Sequence, residues 1–111
     1  MNQEIKKRLQ DILYAIDEIA IHISKVKSFT EYSADVTVRR AVERDLSIIG
    51  EAVTQIRKQL PDFEITGMRK IISFRNIIVH EYDSVKNDSV WIIVNRHLPL
   101  LKTEVEKLLN E

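Results

Sequence analysis

The chain has no cysteine, and only two glycines, two prolines, three phenylalanines, three tyrosines and one tryptophan in 111 residues. Without cysteine there are no disulfides and no thiolate metal ligands, a usage compatible with a reducing compartment. The shortage of turn formers argues against many short strands and for a small number of long helices. Charge of one sign is also missing, since 17 basic residues face 17 acidic ones. No global field therefore draws the chain to nucleic acid or an anionic membrane, and any polyanion site has to be local. No apolar run approaches the roughly 18 residues of a membrane span, and the charged opening MNQEIKKRLQ lacks the apolar stretch of a secretory signal. The expected location is the cytoplasm, with no membrane partner.

What is present is helical periodicity in a chain sized for one domain, residues 1–111. A domain this small hides a modest share of its surface, so self-association would help it. Ile5, Leu9, Ile12, Ile16, Ile19, Ile23 and Val26 recur at spacings of four and three, which predicts a helix from about residue 3 to 28. Val42, Leu46, Ile49, Val53, Ile56 and Leu60 predict a second, stopped by Pro61 and capped by Ser33 or Asp35. Gly50 lies inside it at a cost of roughly 1 kcal/mol relative to alanine, either as a tolerated weak spot or because another backbone passes close by. A third helix is predicted from Met68 to Glu81. The apolar run Val90 to Val94 should be buried, and Pro99 suits the first turn of a last helix. The fold class expected is all-α, an up-and-down bundle of four or five helices.

Most of the polar chemistry is concentrated in SFRNIIVHEYD, residues 73–83. On an ideal helix with Arg75 at zero, Asn76 falls at about 100 degrees, His80 at about 140 and Tyr82 at about 340, whereas Ile77, Phe74 and Ile78 point the other way, to the core. Asn76 and His80 are neighbours one turn apart. Arg75 and His80 are too far apart in angle to form a close pair within one helix. Two copies packed about a twofold axis would bring two arginines and two histidines into one cleft, a local basic pocket on a neutral protein.

Such a pocket suits RNA cleavage without metal or cofactor. An imidazole with an ordinary pKa of about 6.5 takes the proton of a ribose 2′-OH, and a guanidinium stabilises charge on the attacked phosphate. DNA, lacking the nucleophile, would be inert. On spacing alone, the same residues also fit a solvated helix face with a rim ion pair, and Tyr82 fits an amphipathic residue with its ring packed and its hydroxyl wet. His22 and His97 have no partners at metal-ligand spacing and read as structural or solvent-exposed.

The order Arg75-Asn76, three residues, His80, one residue, Tyr82 resembles the R-N-x-x-x-H-x-Y signature of HepT-like proteins in the HEPN-domain superfamily. AVERDLSIIGEAV, residues 41–53, is similar to that family's second-helix signature, and Val90-Trp91 with LPLLKTEVEKLL, residues 98–109, to its closing segment. Ser73 stands where the family often has another small residue, and Asp83 where it has an aromatic one, a change that alters the mouth of the pocket.

The resemblance implies a HEPN-like helical homodimer, the toxin of a type VII-like HEPN/MNT toxin–antitoxin system, with a metal-independent endoribonuclease site in the dimer cleft. Arg75 and His80 match the catalytic pair and Asn76 the supporting residue that positions the phosphate or imidazole. The partner antitoxin would be a minimal nucleotidyltransferase that moves AMP from ATP onto Tyr82, placing a phosphodiester and a base at the edge of the site to pair with Arg75 and occlude RNA. The alternative implied is a noncatalytic HEPN-like dimer that binds a nucleotide or a partner. Glu51 and Glu81 are left open, either as groups that tune the histidine or as surface charges.

Overall fold

A computed structural model describes residues 1–111. Helix α1 spans Gln3–Ile23, with Asn2 capping it by accepting the Ile5 N–H at 2.9 Å. It stops short of the expected residue 28. Ser24 Oγ donates back to the Ile21 carbonyl at 2.6 Å, and Ser28 opens a separate short helix, α2, Phe29–Ala34. Ser28 Oγ accepts the Glu31 N–H and the Glu31 carboxylate accepts the Lys27 N–H, both at 3.2 Å. This near-reciprocal S-x-x-E cap satisfies the first amides of α2 and makes a break cheaper than continuation.

Helix α3 spans Val36–Gln59. Of its two expected caps, Asp35 does the work, accepting the Val38 N–H at 3.0 Å, while Ser33 lies inside α2. Helix α4, Met68–His80, begins after Gly67, whose φ of 72° is left-handed and suits glycine. It ends one residue before the expected Glu81, and a single 3₁₀ turn, Tyr82–Ser84, follows. Helix α5, Asn87–Ile92, runs through a wide π turn, Ile93–His97, into α6, Leu98–Leu109. Pro99 therefore does not open a fresh helix after a loop. A proline lacks the N–H and crowds the carbonyl four residues back, here that of Asn95, and the widened turn accommodates both defects. With 87–109 counted as one run, the molecule has five helical segments and no strand, the all-α bundle expected.

Polar contacts fix the helix directions. Asn2 Nδ2 donates to Gln59 Oε1 at 2.6 Å, so the start of α1 meets the end of α3. Tyr82, just past α4, reaches Glu43 early in α3 at 2.8 Å, so those two helices also run antiparallel. Lys102 Nζ lies 3.0 Å from Asp17 Oδ1, tying α6 to α1. The core is the seam expected from the periodicity, with Leu9, Ile12, Leu46, Ile49, Ile71 and Leu101 all essentially inaccessible. Val90, Ile93 and Val94 are buried, as their run of apolar residues requires, but Ile92 is exposed. Tyr32 of α2 is also fully buried, its ring centroid 5.3 Å from that of Trp91.

One carboxyl is buried where the seam would favour an apolar group. Asp45 of α3 is 1% exposed, and burial, first, then the neighbouring Glu18 carboxyl of α1, push its pKa up to about 7. Arg44, 3.8 Å away, is mostly exposed and offsets little of this. A carboxyl whose pKa is raised in the folded state favours folding while it is protonated, and that contribution is lost as pH rises through the folded value. The chain is therefore expected to lose roughly 2–4 kcal/mol of stability between pH 4 and pH 8 through this group. Asp45→Asn should melt at a higher temperature than the parent at pH 8, with the gap closing toward pH 4, in thermal unfolding followed by circular dichroism. An offset that is independent of pH would contradict the assignment.

Candidate active site

The site is built on α4, and its placement starts with a glycine on α3. A Cβ added to Gly50 would sit 2.5 Å from Arg75 Cβ and 3.2 Å from the Ile71 carbonyl oxygen. Of the two readings of Gly50, the close approach is the one the structure shows. Met68, Ile71 and Phe74 hold the first half of α4 in the core. Ile77 and Ile78, expected on the buried side, are only half-buried, and Val79 is exposed, so the second half of the helix lifts toward solvent.

Arg75 lies at the transition between these halves. Its Nη2 is 2.8 Å from Glu51 Oε2 and its Nη1 donates to Asn76 Oδ1 at 3.1 Å, so the guanidinium is held from two sides while its side chain remains 27% exposed. Glu51 is itself oriented by Gln55, whose Nε2 donates to Oε1 at 2.8 Å. That bond, first, and the Arg75 charge hold the Glu51 carboxyl below its usual range against the opposing effect of burial. Glu51, left open by the sequence, thus serves the arginine.

Asn76 and His80 open onto a hollow of about 850 Å³, also lined by Arg57 of α3, Arg69 of α4 and Glu81. A smaller adjoining hollow of about 450 Å³ shares Arg69, Ser73 and Ile77 with it and adds Phe74, Ile92 and Lys86. The chain therefore brings Asn76 together with both members of the expected pair, through a hydrogen bond to one and a shared hollow with the other. Arg75 does not line that hollow, which agrees with the angular separation computed from the sequence. Glu81, also left open by the sequence, faces the His80 hollow. No three His, Cys, Asp or Glu side chains gather as a metal site. His97 packs against Gly67, and His22 is half-buried near the end of α1.

Tyr82 departs from the ideal-helix reading because α4 ends at His80. Its hydroxyl has a protein partner: it donates to Glu43 Oε1 at 2.8 Å, and Arg40 Cζ lies 4.7 Å from the ring centroid. The cation beside Tyr82 is thus Arg40, whereas Arg75, expected to pair a modified Tyr82, is engaged by Glu51. Burial, then the Glu43 hydrogen bond and charge, raise the phenol pKa. Glu43, Arg40, Arg57 and Arg69 were missed as site residues in the sequence. For Glu43 a signal existed, since it adjoins Val42 on the flank of the apolar seam, where a carboxylate needs a partner. For the arginines there was none, because they come from different turns and helices.

Comparison with known proteins matches residues 12–108 to the family model described as "Ribonuclease HepT-like". Two Methanocaldococcus jannaschii proteins named as candidate RNases are each 30% identical over 110 residues, covering 98% of this chain and 90% and 94% of their own lengths. A protein of Caldanaerobacter subterraneus with the same description is 29% identical over 101 residues, 88% of this chain and 90% of its own. No solved structure matches.

The Gly50 contact makes a prediction that helix propensity alone would reverse. Alanine is the better helix former by about 1 kcal/mol. Here its methyl would overlap the root of Arg75 and overpack the α3–α4 interface, which costs about 1–3 kcal/mol. Gly50→Ala is expected to lower the denaturant midpoint despite the propensity gain. A raised midpoint would show that the two helices are not in contact at this position.

Proposed function

The chain belongs to the HepT-like ribonuclease family, and on that premise we propose that it is a metal-independent endoribonuclease, the toxin of a HEPN/MNT toxin–antitoxin pair. It acts as a homodimer in which the α4 faces of two copies meet. The observation that carries this reading is the arrangement on α4: a guanidinium held in place by Glu51 and Asn76, and on the same helix an exposed imidazole that opens onto a hollow with two further arginines. One copy does not aim Arg75 into the His80 hollow, so a second copy is required to complete the site.

In the reaction, His80 takes the proton of the ribose 2′-OH, and the oxygen attacks the adjacent phosphorus. The bond to the 5′-oxygen breaks, and the partner's His80, in its protonated form, supplies the leaving group with its proton. Arg75 stabilises the charge that builds on the non-bridging oxygens, where the phosphate competes with Glu51 for its Nη2. Arg57 and Arg69 bind flanking phosphates, giving a neutral protein the local positive surface that RNA needs. No cofactor takes part, and DNA lacks the nucleophile. The antitoxin, a minimal nucleotidyltransferase, silences the site by transferring AMP to Tyr82.

A second reading, a noncatalytic HEPN-like dimer that binds a nucleotide or a partner, draws on the Arg75–Glu51 pair, since an arginine already matched by a carboxylate is partly spent. One experiment separates the two. The purified chain in excess EDTA is expected to cut RNA but not DNA, with Arg75→Ala and His80→Ala each slower by about a hundredfold or more. Peptide mass spectrometry after incubation with the nucleotidyltransferase and ATP should find AMP on Tyr82. Binding of RNA without cleavage favours the second reading. Cutting that survives either substitution, or needs a divalent ion, contradicts the first, and AMP on another residue removes Tyr82 from it.

A further inference from the structure

The cleavage step proposed above makes no use of the Tyr82–Glu43 contact, yet that contact joins the expected modification site to a buried charge. The Tyr82 hydroxyl donates to Glu43 Oε1 at 2.8 Å. Tyr82 is 40% exposed whereas Glu43 is 4% exposed, so a reagent can reach the phenol from solvent while a carboxylate holds its proton from behind. Arg40, one turn before Glu43 on α3, places its guanidinium carbon 4.7 Å from the ring centroid. The other two tyrosines lack this arrangement. Tyr14 is 70% exposed on α1, and Tyr32 is wholly buried with an unpartnered hydroxyl.

We propose that Glu43 is the proton acceptor for transfer of a nucleotidyl group to Tyr82, an inference that rests on the reading of Tyr82 as the AMP acceptor. Tyr82 Oη attacks the α-phosphorus of ATP. The new O–P bond forms as the bond from the α-phosphorus to the oxygen bridging the β-phosphate breaks. Pyrophosphate leaves, and the phenolic proton passes to Glu43 Oε1.

The acceptor is needed because the phenolate is disfavoured before reaction. Burial and the neighbouring carboxylate both hold the phenol in its neutral form. A neutral phenol is a weak nucleophile, but as its oxygen bonds to phosphorus its proton becomes far more acidic than a carboxylic acid. A carboxylate already at hydrogen-bond distance then takes it without prior ionisation. Arg40, 4.7 Å from the ring centroid, adds positive charge beside the residue whose new phosphate ester is negative.

A phosphorus electrophile that needs no partner protein tests this on the whole chain. Diethyl 4-nitrophenyl phosphate is reacted with the chain between pH 6 and pH 9, and labelling of Tyr82 and Tyr14 is followed by peptide mass spectrometry. Tyr82 is expected to label faster than the more exposed Tyr14, most clearly near neutrality where free phenolate is scarce. Glu43→Gln keeps an oxygen that accepts the Tyr82 hydrogen bond but removes the base. It is expected to slow Tyr82 labelling about tenfold or more and to leave Tyr14 unchanged, with Glu43→Asp restoring part of the rate. Equal Tyr82 labelling in the parent and Glu43→Gln, with unchanged circular dichroism, overturns the proposal.

The same variants with the nucleotidyltransferase and ATP separate the two claims. No AMP on Tyr82 of the parent removes the reading beneath the proposal. AMP arriving equally fast in the parent and Glu43→Gln removes the role of Glu43 alone.

Discussion

The approach of α4 to α3 at Gly50 is the constraint on which the site depends. With no side chain at that position, the root of Arg75 rests against the α3 backbone, closer than any Cβ would permit. From there the guanidinium meets Glu51, the next residue of α3, at 2.8 Å. A wider separation would let the arginine swing, and its bonds to Glu51 and Asn76 would have to be remade at each encounter with substrate. Because Arg75 is packed inward, His80 is carried round to the opposite, open side of α4.

Helix α3 organises the rest through its carboxylates. Asp45 faces α1, Glu43 faces the turn after α4, and Glu51 faces Arg75. Each sits beside the apolar seam, where an unpaired charge is costly. Each has a different solution: Asp45 has its pKa raised toward neutrality, Glu43 accepts a phenol, and Glu51 accepts a guanidinium and an amide. Stability and site geometry are thus set by the same helix.

Much of this was legible in the sequence. The four-and-three spacing of isoleucine, leucine and valine marks α1 and α3, and almost every seam residue is buried, because the periodicity of a helix and the burial of one face are the same physical fact. The expected separation of Arg75 and His80 also holds, since both lie on a regular stretch of α4. Legibility fails where regularity fails. The break at residues 24–28 depends on the Ser28 and Glu31 cap, whose S-x-x-E signal begins only where the apolar pattern has already run out to Val26. The placement of Tyr82 depends on α4 ending at His80, after which an ideal wheel no longer applies. The contacts to Glu43, Arg40 and Glu51 are long-range, and residues 24 to 42 apart in the chain are not joined by any local rule.

The central claim is that one chain holds Arg75 and His80 on different sides of α4 and that a twofold partner joins them. Since the chain has no cysteine, Glu81→Cys gives a single attachment point for a nitroxide at the edge of the His80 hollow, and dipolar electron resonance between two labelled copies measures its separation across the dimer. The account predicts one narrow distance well inside the 27 Å width of a single chain. No dipolar coupling, or a distance at or beyond the 41 Å length of the chain, would contradict it.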